Sequence, residues 1–137
     1  MSTALVWLRR DLRLADNPAL HCAAAAHTRL IPIYLHAPHE EAPWSPGAAS
    51  RWWLHHSLAA LDAALRERGS RLILRQGDSL PALRNLIQET GATAVYWNRL
   101  YEPAAIARDR TVKAALRADR ITVESQQAAL LVEPWTL

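Results

Sequence analysis

The feature that most constrains this chain is a five-fold alternation of short apolar runs with stretches of helical period. The runs are Ala4–Leu8, Leu30–Leu35, Leu72–Leu74, Ala94–Trp97 and Ile121–Val123. They are too short for helices, and most are too uniformly apolar for strands with one wet face. Strands buried on both faces of a parallel sheet have this pattern. Strands alternating with helices imply a parallel sheet covered on both sides, and right-handed crossovers make it doubly wound. The expected fold class is therefore α/β: a five-stranded, Rossmann-like three-layer sandwich with strand order 3-2-1-4-5. No internal repeat, low-complexity tract or linker divides the chain, so 137 residues form one domain.

The helices carry their own signals. Asn17-Pro18 starts the first, with Asn as N-cap and Pro at the first helical position. It runs to about His27, with Leu20 and Ala24 on one face. The second starts at Ser45-Pro46 and ends near Arg68 before Gly69. Its stripe is Leu54, Leu58, Leu61 and Leu65, spaced four, three and four. Arg51, His55, Asp62 and Arg66 fall off that stripe, and the adjacent Trp52 and Trp53 cannot face the same way. The third helix is capped by Asp78 or Ser79, carries Leu80, Leu83, Leu86 and Ile87 inward, and ends at Gly91. The fourth begins at Pro103 and reaches about Ala118, with Ile106, Val112 and Leu116 inward and Arg108, Asp109 and Arg110 outward. Pro32 lies within the second strand and lacks a ladder donor, so a local irregularity is expected there. Leu130–Val132 reads as a short strand extension.

Function is sought first where two loops meet. In a 3-2-1-4-5 sheet, strand order reverses between strands one and four, and ligands bind outside the carboxyl ends of the strands at that switch. The loops leaving those strands, Arg9–Asp16 and Asn98–Glu102, are the most polar connections in the chain. Together they offer the guanidiniums of Arg9, Arg10, Arg13 and Arg99, the carboxylates of Asp11, Asp16 and Glu102, the amide of Asn98 and the ring of Tyr101. Such a lining suits a planar ligand with anionic parts. It contains no nucleophile beside a base, so no catalytic residue is assigned. No G-x-G-x-x-G follows the first strand and no P-loop sequence occurs. His36 and His39 lack a third close ligand, so no metal site is expected.

Composition narrows the remaining classes. Half of the residues are hydrophobic and 21% are charged, as in ordinary globular proteins. No apolar run approaches the ~20 residues that span a bilayer. Cys22 is the only cysteine, which excludes an internal disulfide. A cytoplasmic protein without a membrane segment is the expectation. The net charge of +3 is too small by itself to indicate nucleic-acid binding.

Residues Trp7-Leu8-Arg9-Arg10-Asp11-Leu12-Arg13-Leu14-Ala15-Asp16-Asn17-Pro18-Ala19-Leu20 closely resemble the N-terminal signature of the DNA photolyase and cryptochrome family. The likeness continues through Trp53-Leu54, Ser57-Leu58 and Leu61, Arg75-Gln76-Gly77-Asp78, and Val95-Tyr96-Trp97-Asn98-Arg99 with Tyr101-Glu102-Pro103 and Arg108-Asp109. The resemblance implies that residues 1–137 are the N-terminal α/β domain of a light-dependent deoxyribodipyrimidine photolyase, a DNA-repair lyase. That domain binds an antenna chromophore. A C-terminal helical domain, absent from these residues, would bind FAD and DNA and carry the catalysis. The cofactor-binding candidates are Arg9, Arg10, Asp11, Arg51, Asn98, Arg99, Tyr101 and Glu102. Folate-binding members carry an Asn-Glu pair where Ala104 and Ala105 stand here, so a deazaflavin or flavin antenna is favoured over folate. The chain alone is expected to be inactive, with an apolar docking face that promotes self-association. The alternatives are a cryptochrome photoreceptor domain and a stand-alone nucleotide-binding or interaction module.

Overall fold

The computed structural model describes residues 2–9, 17–36, 48–67, 69–100 and 103–126, with backbone alone for 48–54. Strand β1 (Thr3–Leu8) is followed by helix α1 (Pro18–Ala26), β2 (Arg29–His36), α2 (Ala48–Glu67) and β3 (Ile73–Gln76). Then come α3 (Ser79–Thr90), β4 (Ala94–Asn98), α4 (Pro103–Ala118) and β5 (Thr122–Gln126). The strands form one parallel sheet in the order β3-β2-β1-β4-β5, as the alternation predicts.

Alternate residues of β1 build two cores. Leu5 and Trp7 face α3 and α4, where Leu83, Leu86, Val112 and Leu116 close the layer. Ala4, Val6 and Leu8 face α1 and α2, where Ala19, Ala23, Leu61 and Leu65 close the other. A strand buried on both faces needs apolar residues at every position, which is why β1 and β4 read as unbroken runs. The caps follow the sequence: Asn17 accepts from the Leu20 amide at 3.2 Å, and Gly91 ends α3 with φ of 72°. Asp78 is the N-cap residue of α3 but makes no side-chain cap bond. Near the amino end of the sheet, His27 bridges the Ser2 hydroxyl and the Tyr96 hydroxyl, each at 3.1 Å. Burial raises the Tyr96 pKa above its ordinary value, with Glu124 and Cys22 adding to the effect.

Two expectations are corrected. First, β2 is continuous through Pro32, which pairs in register with Val6. β3 begins opposite Ile33, so β2 has no β3 partner at Pro32 and the proline sits where one ladder has not started. Second, Ile106 is 36% exposed and Asp109 turns inward. The inward stripe of α4 is Ala105, Asp109, Val112 and Leu116, spaced four, three and four, which places Ile106 a residue off it. The exposed large hydrophobics among the described residues are Leu74 on β3 and Ile106 on α4. Boundaries also shift: β3 runs to Gln76 and β5 to Gln126, while the expected helix start at Ser45-Pro46 lies outside the described residues. The side chains of Trp52, Trp53 and Leu54, the 36–45 loop beyond His36, and Leu130–Val132 lie outside the described residues.

Asp62 fastens α2 to the start of β3. Its carboxylate accepts from the Leu72 amide at 2.9 Å and from Arg66 Nε at 2.8 Å. The Leu72 amide first, and then Arg66, hold this carboxyl below its ordinary pKa. A folded-state pKa below the unfolded value contributes stability above the unfolded pKa, and that stability is lost as pH falls through the folded one. Asp62→Ala should therefore lower the thermal midpoint near neutral pH, with the gap to the unmodified chain closing below about pH 4. Thermal unfolding across pH checks this; a gap unchanged into strong acid would refute it.

Candidate functional site

The side-chain alternation of the strands decides what the loops present. Trp7 and Trp97 are register partners on β1 and β4, so Arg9 and Asn98 leave the sheet at nearly the same level. Arg9 continues the face of Leu5 and Trp7 and points under α4. Asn98 continues the face of Ala94 and Tyr96 and points towards α1. Arg99, one residue on, returns to the α4 side. The first and fourth loops thus open from neighbouring parallel strands at the switch point.

Arg9 is only 7% exposed. Its Nη1 donates to Asp109 Oδ1 at 2.6 Å, and its Nη2 donates to the backbone carbonyl of Asn98. The guanidinium carbon stands 4.7 Å from the Trp7 ring centroid and 5.7 Å from that of Trp97. Those rings meet edge to face at 5.2 Å. Arg108 reaches the same place from α4: its guanidinium carbon is 5.4 Å from the Trp7 ring, and its Nε lies 3.4 Å from Asp109 Oδ1. Two cations thus share one carboxylate.

Asn98 does comparable work on the α1 side. Its Oδ1 accepts from the Ala19 amide at 2.9 Å, and its Nδ2 donates to Asn17 Oδ1 at 2.7 Å. Asn17, the N-cap of α1, is fully buried. The end of β4 is therefore clasped to the first turn of α1, satisfying amides that a helix N-terminus leaves open.

Of the sequence candidates, the structure brings Arg9 and Asn98 together and buries both in the crevice walls. Arg99 is exposed and turned towards β5, with Nε 3.4 Å from the Ser125 hydroxyl. Arg10, Asp11, Arg13, Asp16, Tyr101, Glu102 and the side chain of Arg51 lie outside the described residues. Asp109, Asn17 and Arg108 are site residues that the sequence reading did not assign. Asp109 was legible in its spacing, three residues before Val112 and seven before Leu116. Among the described residues, no group of three or more His, Cys, Asp or Glu side chains is placed to hold a metal ion, and no helix is long and apolar enough to cross a membrane. A hollow of about 320 Å³ at the β3 edge, lined by residues such as Arg75, Asn85 and Glu89, shares no residue with the crevice.

Arg9 and Asn98 thus fix the carboxyl ends of β1 and β4 against α4 and α1. The model of the DNA photolyase family matches residues 4–137. The chain is 48% identical over 130 residues to a deoxyribodipyrimidine photo-lyase of Agrobacterium fabrum, covering 95% of this chain and 26% of that protein. It is 45% identical over 133 residues to Cryptochrome-1 of Arabidopsis thaliana, covering 96% of this chain and 19% of that one. Among solved structures, a bacterial class III photolyase from Agrobacterium tumefaciens superposes with a TM-score of 0.91 at 46% identity, covering 99% of this chain and 28% of that one. An archaeal photolyase from Sulfolobus tokodaii, described with two FAD molecules and a novel light-harvesting cofactor, superposes with a TM-score of 0.85 at 26% identity, covering 98% and 31%. The chain spans about a quarter of the length of these relatives.

Breaking the Arg9–Asp109 pair should strand a buried charge. We expect Asp109→Ala to cost about 3–5 kcal/mol in chemical denaturation. The double variant Arg9→Met/Asp109→Leu should be less destabilised than Asp109→Ala alone. A loss below about 1 kcal/mol, the range of exposed pairs, would remove the anchoring role given to this contact.

Proposed function

Because this chain belongs to the DNA photolyase family, we propose that it is the antenna-chromophore-binding part of a light-dependent deoxyribodipyrimidine photolyase. The observation that carries this reading is the juxtaposition of the β1 and β4 loop origins at the switch point, with Arg9 and Asn98 fixing the two walls. Arg10, Asp11, Arg51, Tyr101 and Glu102 are the groups we assign to direct contact with the chromophore, joined by Arg99 at the rim. Arg9 and Asn98 act mainly by positioning. The chromophore would supply light absorption. The chain's residues bind it, orient it and keep an electropositive surround for its anionic parts.

Among antenna classes, a deazaflavin or flavin fits ahead of folate, on Ala104 and Ala105 alone. Repair itself is assigned to a helical domain that binds FAD and, through the same domain, DNA. The similarity to a plant cryptochrome supports a second reading, in which the same crevice serves a photoreceptor.

Absorbance and mass spectrometry of the purified protein, alone and after incubation with flavin, deazaflavin or folate, test the assignment. A bound chromophore absorbing beyond the tryptophan band is expected, and Arg10→Ala or Glu102→Ala should weaken it about tenfold, the effect of one lost polar contact. Retention of no chromophore of any class would overturn the antenna reading. The 137 residues alone should neither hold FAD tightly nor split pyrimidine dimers in light; repair by them alone would contradict the division of labour proposed.

A further inference from the structure

Helix α4 carries a second stripe that serves no core. Ile106, Arg110, Lys113 and Arg117 are spaced four, three and four, about 100° around from the stripe that packs inward. It runs beside β5, the edge strand of the described sheet. Val123 belongs to the core beneath α4, so Ser125, two residues on, faces the same side. Lys113 Nζ lies 3.2 Å from the Ser125 hydroxyl oxygen and Arg99 Nε lies 3.4 Å from it. Arg117 Nη2 donates to the Val123 carbonyl at 3.3 Å. Two cations therefore converge on one neutral oxygen, with a third a turn away.

Two of the described carboxylates nearby are engaged elsewhere. Asp109 holds Arg9, and Asp119 pairs with Arg84 at 2.9 Å. Glu124 alternates to the opposite face of β5. Among the described residues, Lys113 and Arg117 have no ion-pair partner. Burial, then the neighbouring Arg117 and Arg99, push the Lys113 pKa below its ordinary value, and the Glu124 carboxylate offsets this only in part.

We propose that Arg99, Lys113 and Arg117, grouped around Ser125 at the β5 edge, bind a phosphate group. Guanidinium groups match phosphate oxygens with paired donors, an ammonium adds a compact charge, and the Ser125 hydroxyl can donate to the same anion. A small phosphate compound and a nucleic-acid backbone present the same oxygens. The site shares Arg99 with the rim of the antenna crevice, but Lys113, Arg117 and Ser125 are not crevice residues, so a test through Lys113 and Arg117 leaves that reading untouched.

Calorimetric titration of the chain with inorganic pyrophosphate, and separately with a short single-stranded oligonucleotide, tests this at low ionic strength. Lys113→Met and Arg117→Gln should each weaken binding roughly tenfold. Arg75→Gln, a charge removed from the opposite edge strand, should leave it unchanged. Pyrophosphate binding with this pattern assigns a small phosphate ligand. Oligonucleotide binding alone, with the same pattern and a steep fall with added salt, assigns a nucleic-acid backbone. No binding of either probe, or an equal loss in Arg75→Gln, overturns the site.

Discussion

The burial of one guanidinium sets the terms for the end of the sheet where a ligand would bind. Arg9 follows directly on β1, on the face already occupied by Leu5 and Trp7, so its side chain enters the layer under α4 rather than water. A charge so placed is costly unless it is paired and hydrogen-bonded. Each remedy here comes from a different element: the carboxylate of Asp109 from α4, the carbonyl of Asn98 from β4, and the rings of Trp7 and Trp97 from both strands. The position of α4 over the sheet and the spacing of the two loops are therefore coupled through one residue. Lysine could not do this, since only a planar guanidinium stacks on a ring while directing separate N–H groups to two acceptors.

Much of the fold was legible because its causes are local. Strands buried on both faces must be apolar at every position, and the helix termini needed Asn17, Pro18 and Gly91 in positions that sequence alone marks. The strand order followed from chirality and alternation. What sequence could not show was where a neighbour ends. Pro32 looked like an obstacle because β2 was assumed to be paired on both sides along its whole length. β3 starts one residue later, so the difficulty does not arise. Ile106 was assigned to the core on hydrophobicity, yet the period of α4 gives its inward position to Asp109. An apolar residue outside and an acid inside is the reverse of the usual rule, and only the partner on β1 explains it.

The candidate site was legible as a place and less so as a set of roles. Charge density marked both loops as unusual for connectors. It did not separate charges that hold the walls from those left to meet a ligand. That separation was available in the two-residue alternation of the strands: Arg9 extends the Trp7 face, Asn98 the Tyr96 face and Arg99 the Trp97 face. Arg9 is consequently drawn to Asp109, Asn98 to the first turn of α1, and Arg99 to Ser125. Interactions that stabilise the crevice thus remove two of its polar groups from the pool best suited to recognition. In return they fix the strand ends from which both loops depart.

Helix α4 shows the same sorting on a different period. Its sequence places five cations and two acids from Arg108 to Arg120, and read as composition they are a solvated face. Read at 3.6 residues per turn they divide. Asp109 belongs to the inward stripe, with Arg108 beside it over Trp7, and they help to anchor the crevice. Arg110, Lys113 and Arg117 lie on the outer stripe beside an edge strand, where no core contact requires a positive charge. A net charge of +3 says little about partners when it is spread evenly. Here it is not: among the described residues Asp109 pairs with Arg9 and Asp119 with Arg84, while Lys113 and Arg117 beside β5 have no ion-pair partner. The location of charge, rather than its sum, is what marks out that edge.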